Sequence, residues 1–272
     1  MTGGHWTLDD IPWDKFDPGK ADPELVKIVK AASMVEYNGA DYATYLCNVF
    51  PDDAEFQAAA DAWALEEIQH GEALARWAKL ADDSFNFDES FGRFRDGYKI
   101  AVDSESSIRG SRSGELVARC IVEVGTSSYY ASIGATTQEP VLREVCRRIA
   151  ADELRHYRLF YTFLRRYLER ENIGKWKRLA VALGRIGESE DDELAYAFYA
   201  ANENPATPYD RKTYGRAYMK RAMACYREPQ VRRAVAMIFK AAGLNPQGRT
   251  ADLAARAAFG FIRWRGRKLA AA

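Results

Sequence analysis

An all-α fold is predicted by three features of this 272-residue sequence. Apolar residues recur at three- and four-residue steps over long stretches, the period of an amphipathic helix. Nowhere do they keep the two-residue alternation of a half-buried strand. Short clusters of Pro, Gly, Asp and Asn separate the long stretches, and such clusters end helices and make turns.

The first helix is expected over Leu25–Phe50, within "PELVKIVKAASMVEYNGADYATYLCNVF". "PDD" then breaks the pattern, and Asp52 or Asp53 can cap a second helix that runs to about Leu80. Residues 81–112, with "ADDSFNFDESFG" and "DSESSIRGSRSG", read as a long connection holding at most a short helix. A third helix covers about 114–136. The fourth starts at Pro140, a favoured first-turn residue, and continues to about Glu171. Beyond it, "GKWKRLAVALGRIG" and "SEDDELAYAFYAAN" read as one helix interrupted near Gly184 and Gly187, or as two short ones. "ENPATPYD" is a turn-rich linker, and helices at about 209–227, 229–243 and 250–265 complete the chain. The last contains "FIRWRGRK", read as a solvated helix end with cations at its C-terminal pole in preference to membrane contact. The organisation is thus an N-terminal extension (1–21), a helical-bundle domain (22–200) and a C-terminal helical extension (201–272).

Composition narrows the function classes. Lys plus Arg and Asp plus Glu each number 39, so net charge gives no reason to expect a nucleic-acid partner. Cys47, Cys120, Cys146 and Cys225 form no Cys-x-x-Cys pair, which leaves zinc-ribbon, rubredoxin-like and thioredoxin chemistry unsupported. "MTGGHWTLDDIPW" has neither a basic leader nor an apolar segment, and no apolar run approaches a membrane span. A soluble cytoplasmic protein without a transmembrane segment is expected.

The chemistry lies in four helices. "WALEEIQHGEAL" holds Glu67 and His70, three residues apart and so on one side of a helix, within reach of one ion. "AADELRHYRLF" repeats the arrangement with Glu153 and His156. Two such pairs, at both internal histidines of a chain with three in all, are poorly explained as surface charge. Both also carry an acidic residue just before the glutamate, Glu66 and Asp152. In an antiparallel helical hairpin, residues equidistant from the turn lie at the same height. Reflecting Glu67 through Pro51–Asp52 reaches Glu36, and reflecting Glu153 through Gln138–Pro140 reaches Glu123. Both sit among apolar neighbours, where an unpaired carboxylate is costly. One glutamate from each of two helices and a Glu-x-x-His from each of two others make a two-metal carboxylate site inside a four-helix bundle. Four carboxylates neutralise two divalent ions, and the mixed imidazole and carboxylate set suits iron or manganese.

At these residues the chain resembles the ferritin-like di-iron carboxylate proteins, and among them the soluble acyl-acyl carrier protein desaturases. "WALEEIQHG" fits the desaturase pattern of Trp, two residues, Glu-Glu, two residues, His-Gly; "IAADELRH" is close to the second motif; "EVGT" matches a Glu-x-x-Thr. The similarity covers about 25–172. It implies a ferritin-like bundle with one long crossover and two irons, manganese being an alternative at either position. By this resemblance Glu67 and Glu153 bridge the metals, while Glu36 with His70 and Glu123 with His156 are terminal ligands. Thr126 would place a hydroxyl beside the oxygen pocket, or bond back to its own helix. Trp63 and Asp152 would support the ligands, Asp152 orienting His70; Trp63 also reads as core, and Asp152 as a surface partner of Arg155 or Arg148. The implied activity is oxygen-dependent oxidation of a fatty acyl or similar hydrophobic substrate carried by acyl carrier protein or coenzyme A. A ferredoxin-like electron donor and a homodimer are implied too. Alternatives are a rubrerythrin-like peroxide reductase or ferroxidase, against which the missing Cys-x-x-Cys weighs, a hydroxylating or aldehyde-deformylating di-iron enzyme, and a non-enzymatic bundle. The chain is shorter than the plant enzymes, and nothing after about 173 aligns with them.

Overall fold

A computed structural model describes residues 5–188 and 192–271. The first four residues of the expected N-terminal extension, and residues 189–191 in the expected "SEDDELAYAFYAAN" helix, lie outside the described residues. The described chain is helical and holds no strand, as the periodicity predicts.

After 3-10 turns at Leu8–Asp10, Trp13–Lys15 and Pro18–Lys20, α1 spans Pro23–Tyr37 and α2 spans Gly39–Val49. Asp22 caps α1 by accepting from the Glu24 N–H, and Pro23 supplies the preset first-turn φ. The single helix expected over Leu25–Phe50 is therefore two, broken at Asn38. Asn38–Gly39 pairs a residue that competes for backbone hydrogen bonds with one that carries a high helical entropy cost. The third long element, α3 (Ala54–Ala81), is capped by Asp53 rather than Asp52, through the Phe56 N–H. Within the expected connection a helix does form, α4 (Phe87–Gly97), capped by Asn86. Helix α5 (Arg112–Thr136) is capped by Ser111. Then comes α6 (Pro140–Glu171), capped by Glu139, whose carboxylate accepts from the N–H groups of Val141 and Leu142 and from Trp77 Nε1 at 2.6 Å. The stretch after α6 is two helices, α7 (Lys175–Gly187) and α8 (Asp192–Asn202). Finally α9 (Arg211–Cys225), α10 (Glu228–Ala242) and α11 (Arg249–Ala271) follow; α11 runs beyond the expected end at 265.

Two antiparallel hairpins organise the centre. In one, α1 and α2 pack along α3; in the other, α5 packs along α6; α3 and α6 face each other between them. Helices α8 and α9 pack onto α1, and α7 and α10 onto α5. Apolar side chains form two large clusters. One holds Ile28, Met34, Leu74, Trp77, Ile133 and Ile149, and extends to Trp6 and Ile11 before α1 and to Tyr214 and Tyr218 on α9. The other holds Leu46, Phe50, Phe56, Trp63, Leu116 and Phe160. Three of the four cysteines are buried as small apolar groups; Cys47 on α2 is half-buried.

Gly71 fixes how closely α1 approaches α3. A Cβ there would lie 2.6 Å from the Tyr37 backbone nitrogen and 2.8 Å from the Ser33 carbonyl oxygen, so no side chain fits without moving backbone. Gly71→Ala is therefore expected to cost about 1–3 kcal/mol of stability, in the range of overpacked cores. It should also lower metal retention, because α1 carries Glu36 opposite His70. Thermal melting and metal content of the variant check both; wild-type values would show that the helices slide apart freely.

Candidate metal centre

The four helices bring six predicted ligand residues to one layer between the two apolar clusters. Glu36 comes from the last turn of α1, Glu67 and His70 from α3, Glu123 from α5, and Glu153 and His156 from α6. All are buried, none more than 7% exposed. They fall into two sets, Glu36–Glu67–His70–Glu153 and Glu67–Glu123–Glu153–His156, each with one donor atom per residue within 4.8 Å of the others. Glu67 and Glu153 belong to both.

Each histidine turns Nδ1 inward. His70 Nδ1 lies 3.4 Å from Glu153 Oε1, 3.5 Å from Glu67 Oε2 and 3.7 Å from Glu36 Oε2. His156 Nδ1 lies 3.0 Å from Glu67 Oε1 and 3.5 Å from Glu123 Oε2. Donors about 2.1 Å from one ion and roughly at right or tetrahedral angles stand about 3.0–3.4 Å apart, close to this spacing. Both Nδ1 atoms, with Glu123 Oε1 and Glu153 Oε1, are buried and make no hydrogen bond. Leaving four such atoms orphaned around one point is expensive unless an ion completes them. The donor set fits a pair of divalent metals.

Without metal the layer holds protons instead. Burial, then the charge of Glu67, pushes Glu36 up to about 8 and Glu153 up to about 7. Burial also carries Glu123 well above the usual carboxylate range. Glu67 resists: burial is outweighed by the close approach of the His156 and His70 rings, which holds it well below that range. For the imidazoles, burial opposes charge but the surrounding carboxylates win, so both His70 and His156 bind their protons more tightly than usual.

A second layer of contacts orients the ligands. His70 Nε2 donates to Asp152 Oδ2 at 3.1 Å, and His156 Nε2 donates to Glu66 Oε2 at 2.7 Å. Arg155 spans these two carboxylates, donating to Asp152 Oδ1 at 2.6 Å and Glu66 Oε2 at 3.0 Å. Burial of Asp152 is outweighed by the His70 and Arg155 contacts, and its carboxyl sits at about 2. Asp152 contacts His70 and also pairs with Arg155, but it is buried, not the surface carboxylate of the alternative reading. Trp6 adds a third partner, its Nε1 donating to Asp152 Oδ2 at 2.6 Å while its ring stacks on His70. His5 lies beside them with Nδ1 2.9 Å from Arg155 Nη2. On the inner side, Tyr130 donates to Glu36 Oε1 at 2.5 Å.

Thr126 bonds back to its own helix, one of its two expected roles, and also reaches a ligand carboxylate. Its hydroxyl lies 3.1 Å from the Val122 and Glu123 carbonyls and 2.5 Å from Glu153 Oε2. Trp63 is packing: its ring meets His156 and Phe160 edge-on, and its Nε1 has no hydrogen bond. Two surface clefts, one near Asp52, Arg112 and Tyr167 and one near Tyr37, Phe87 and Phe91, are lined by none of the six ligand residues.

Sequence reasoning missed Glu66, Tyr130 and Trp6 as partners of the site, and named Arg155 only as a surface partner of Asp152. For Glu66 a signal existed, since it precedes Glu67 as Asp152 precedes Glu153. Outer carboxylates of this kind fix the imidazole and raise its basicity, and their loss typically weakens metal affinity about 10–100-fold. Glu66→Ala and Asp152→Ala should each show that loss in competition against a colourimetric chelator, with the fold retained. Affinities within about twofold of wild type would show that the inner ligands position the rings unaided.

In comparisons with known proteins, the chain matches no protein-family model and no curated protein sequence.

Proposed function

We propose that the chain is a ferritin-like four-helix-bundle oxidoreductase that holds two iron ions and oxidises a fatty acyl or similar hydrophobic substrate with molecular oxygen. The observation that carries this reading is the pair of four-ligand sets sharing Glu67 and Glu153, closed between two apolar clusters. Manganese suits the same donors. When bound, the metal pair supplies the redox power to reduce oxygen and remove hydrogen from an unactivated carbon. The chain's own residues prepare the site for that task. Glu36, Glu67, Glu123 and Glu153 balance the charge of two divalent ions, so the loaded layer is neutral and tolerates its apolar surroundings. Trp63 and Phe160 on one side, and Leu74 and Tyr130 on the other, exclude water from it. The Thr126 hydroxyl has one proton and three acceptors in reach, so it can hold that proton toward Glu153 or return it to its own helix. Tyr130 holds its proton on Glu36. Electrons would come from a ferredoxin-like donor, and the acyl group from acyl carrier protein or coenzyme A.

The test is a single turnover of chemically reduced, iron-loaded protein with oxygen and a panel of acyl thioesters, free acids and aldehydes, products being read by mass. Faster oxygen use with a long-chain acyl thioester, in near proportion to product, supports the reading. Thr126→Val should keep its metal yet uncouple oxygen use from product. Fast peroxide turnover with no organic product across the panel would favour a rubrerythrin-like activity instead.

A further inference from the structure

We infer that the outer face of α11 lies on an anionic lipid surface. The inference stands independently of the proposed oxidase activity. Helix α11 is apolar on two opposite sides, which a helix serving only to cover a core does not need. Its inner side is Ala251 and Ala255, with Ala254, Ala258 and Ile262 packed toward Val231 and Val235 of α10. On the opposite side Leu253, Phe261 and Trp264 stand in solvent at 69%, 52% and 56% exposure. These follow Leu253 at steps of eight and three residues, with Ala257 and Gly260 between, so one continuous stripe about 16 Å long results.

Charge selects the occupant. The helix carries Arg249, Arg256, Arg263, Arg265, Arg267 and Lys268 against Asp252 alone, and Asp252 pairs with Arg232 of α10. Among the described residues no carboxylate pairs with Arg256, Arg263 or Arg267. At 100° per residue these three arginines line one edge of the stripe, and Lys268 stands within it at its C-terminal end. In place of an outside partner, Arg263 lies over the Phe259 ring at 5.8 Å and Lys268 over Trp264 at 5.5 Å. A second copy of the same face would meet its own positive charge. A stripe on one convex helix also falls well short of the roughly 800 Å² per partner of a stable protein interface. An anionic bilayer meets both features: aromatic and aliphatic side chains enter the boundary between headgroups and chains while the arginines stay at the phosphates. No helix of the described chain is long and apolar enough to cross a membrane, so α11 would lie along the surface. The cations at the C-terminal pole favour the helix dipole, as the sequence suggested, but the dipole does not account for Leu253, Phe261 and Trp264 in solvent.

The experiment is co-sedimentation of the full chain with extruded vesicles of phosphatidylcholine alone and of an equal mixture with phosphatidylglycerol, at low and high salt. Wild type should pellet with the mixed vesicles at low salt, stay soluble with phosphatidylcholine, and be released by salt. Each of Arg256→Gln, Arg263→Gln and Arg267→Gln should weaken partitioning about fivefold, and Phe261→Ser with Trp264→Ser should abolish it. All five positions are outside the two large clusters, so melting temperature and metal content serve as fold controls and should not move. Absence of pelleting with mixed vesicles, equal pelleting of the variants, or a lipid-free dimer that the same substitutions dissolve would each overturn the inference. Retention of the chain by an acidic acyl carrier protein through these residues, with no vesicle binding, would overturn it as well.

Discussion

Glu67→Ala should reduce metal content from the two ions per chain of the proposed site to less than about half an equivalent, the largest loss expected from any single ligand. Glu67 alone among the six combines an oxygen 3.0 Å from His156 Nδ1 with another 3.5 Å from His70 Nδ1. Removing it takes a donor from both ions at once. It also leaves three carboxylates against two divalent cations, a net positive charge in a layer closed to water, which is costly. His70→Ala acts on one set only and should leave about one equivalent on the Glu123–His156 side; His156→Ala should do the converse. The protein is reduced, loaded anaerobically with ferrous iron, freed of loose metal and assayed for iron against chain concentration. Circular dichroism of each variant checks that the helices persist. Two full equivalents in Glu67→Ala would mean that the metals, if bound, do not share this glutamate.

The extent to which the site was legible follows from how local its signals are. Glu67–His70 and Glu153–His156 are visible because the i,i+3 relation alone puts them on one helical face. Glu36 and Glu123 become visible once two hairpins are assumed, because reflection through a turn is also a one-dimensional operation; the structure places both in the same layer. The break at Asn38 escaped because apolar spacing continues across it, so the period carries no mark of the interruption. Tyr130 reads as apolar bulk on α5, yet its hydroxyl serves Glu36, 94 residues away. Trp6 is further still from Asp152, 146 residues, and no periodicity links an N-terminal indole to a carboxylate on α6. Contacts of that kind are decided by tertiary packing of polar tips, for which sequence spacing has no rule. The likeness of the two halves points one step further: Glu66 stands to His156 as Asp152 stands to His70, and the structure shows both pairs.

The metal-free protein should lose stability as pH rises from about 5 to 8, and metal should abolish that loss. Glu36, held at about 8 against an ordinary 4.5, and Glu153, held at about 7, bind protons more tightly folded than unfolded. A group with a raised folded value contributes stability fully below its unfolded value and loses it as pH climbs through the folded one. For these two glutamates that window runs from about 4.5 up to about 7 and 8. His70 and His156, also raised, add the same sign at higher pH. Glu67 and Asp152 are lowered, so their contributions vanish only on acidification, Asp152's toward about 2. The maximum therefore falls near pH 5, and above it each proton released on unfolding removes about 1.4 kcal/mol per pH unit. Bound metal takes the place of those protons, so the loaded form should melt at nearly constant temperature over the same range and the gap between the two forms should widen with pH. Glu36→Gln supplies an internal control. Its carboxamide cannot ionise, so at pH 8 the metal-free variant should melt above metal-free wild type although it holds metal less well. A metal-free wild-type melting temperature that is flat or rising from pH 5.5 to 8, or a Glu36→Gln variant no more stable than wild type at pH 8, would show that the buried carboxylates are not the groups that metal satisfies.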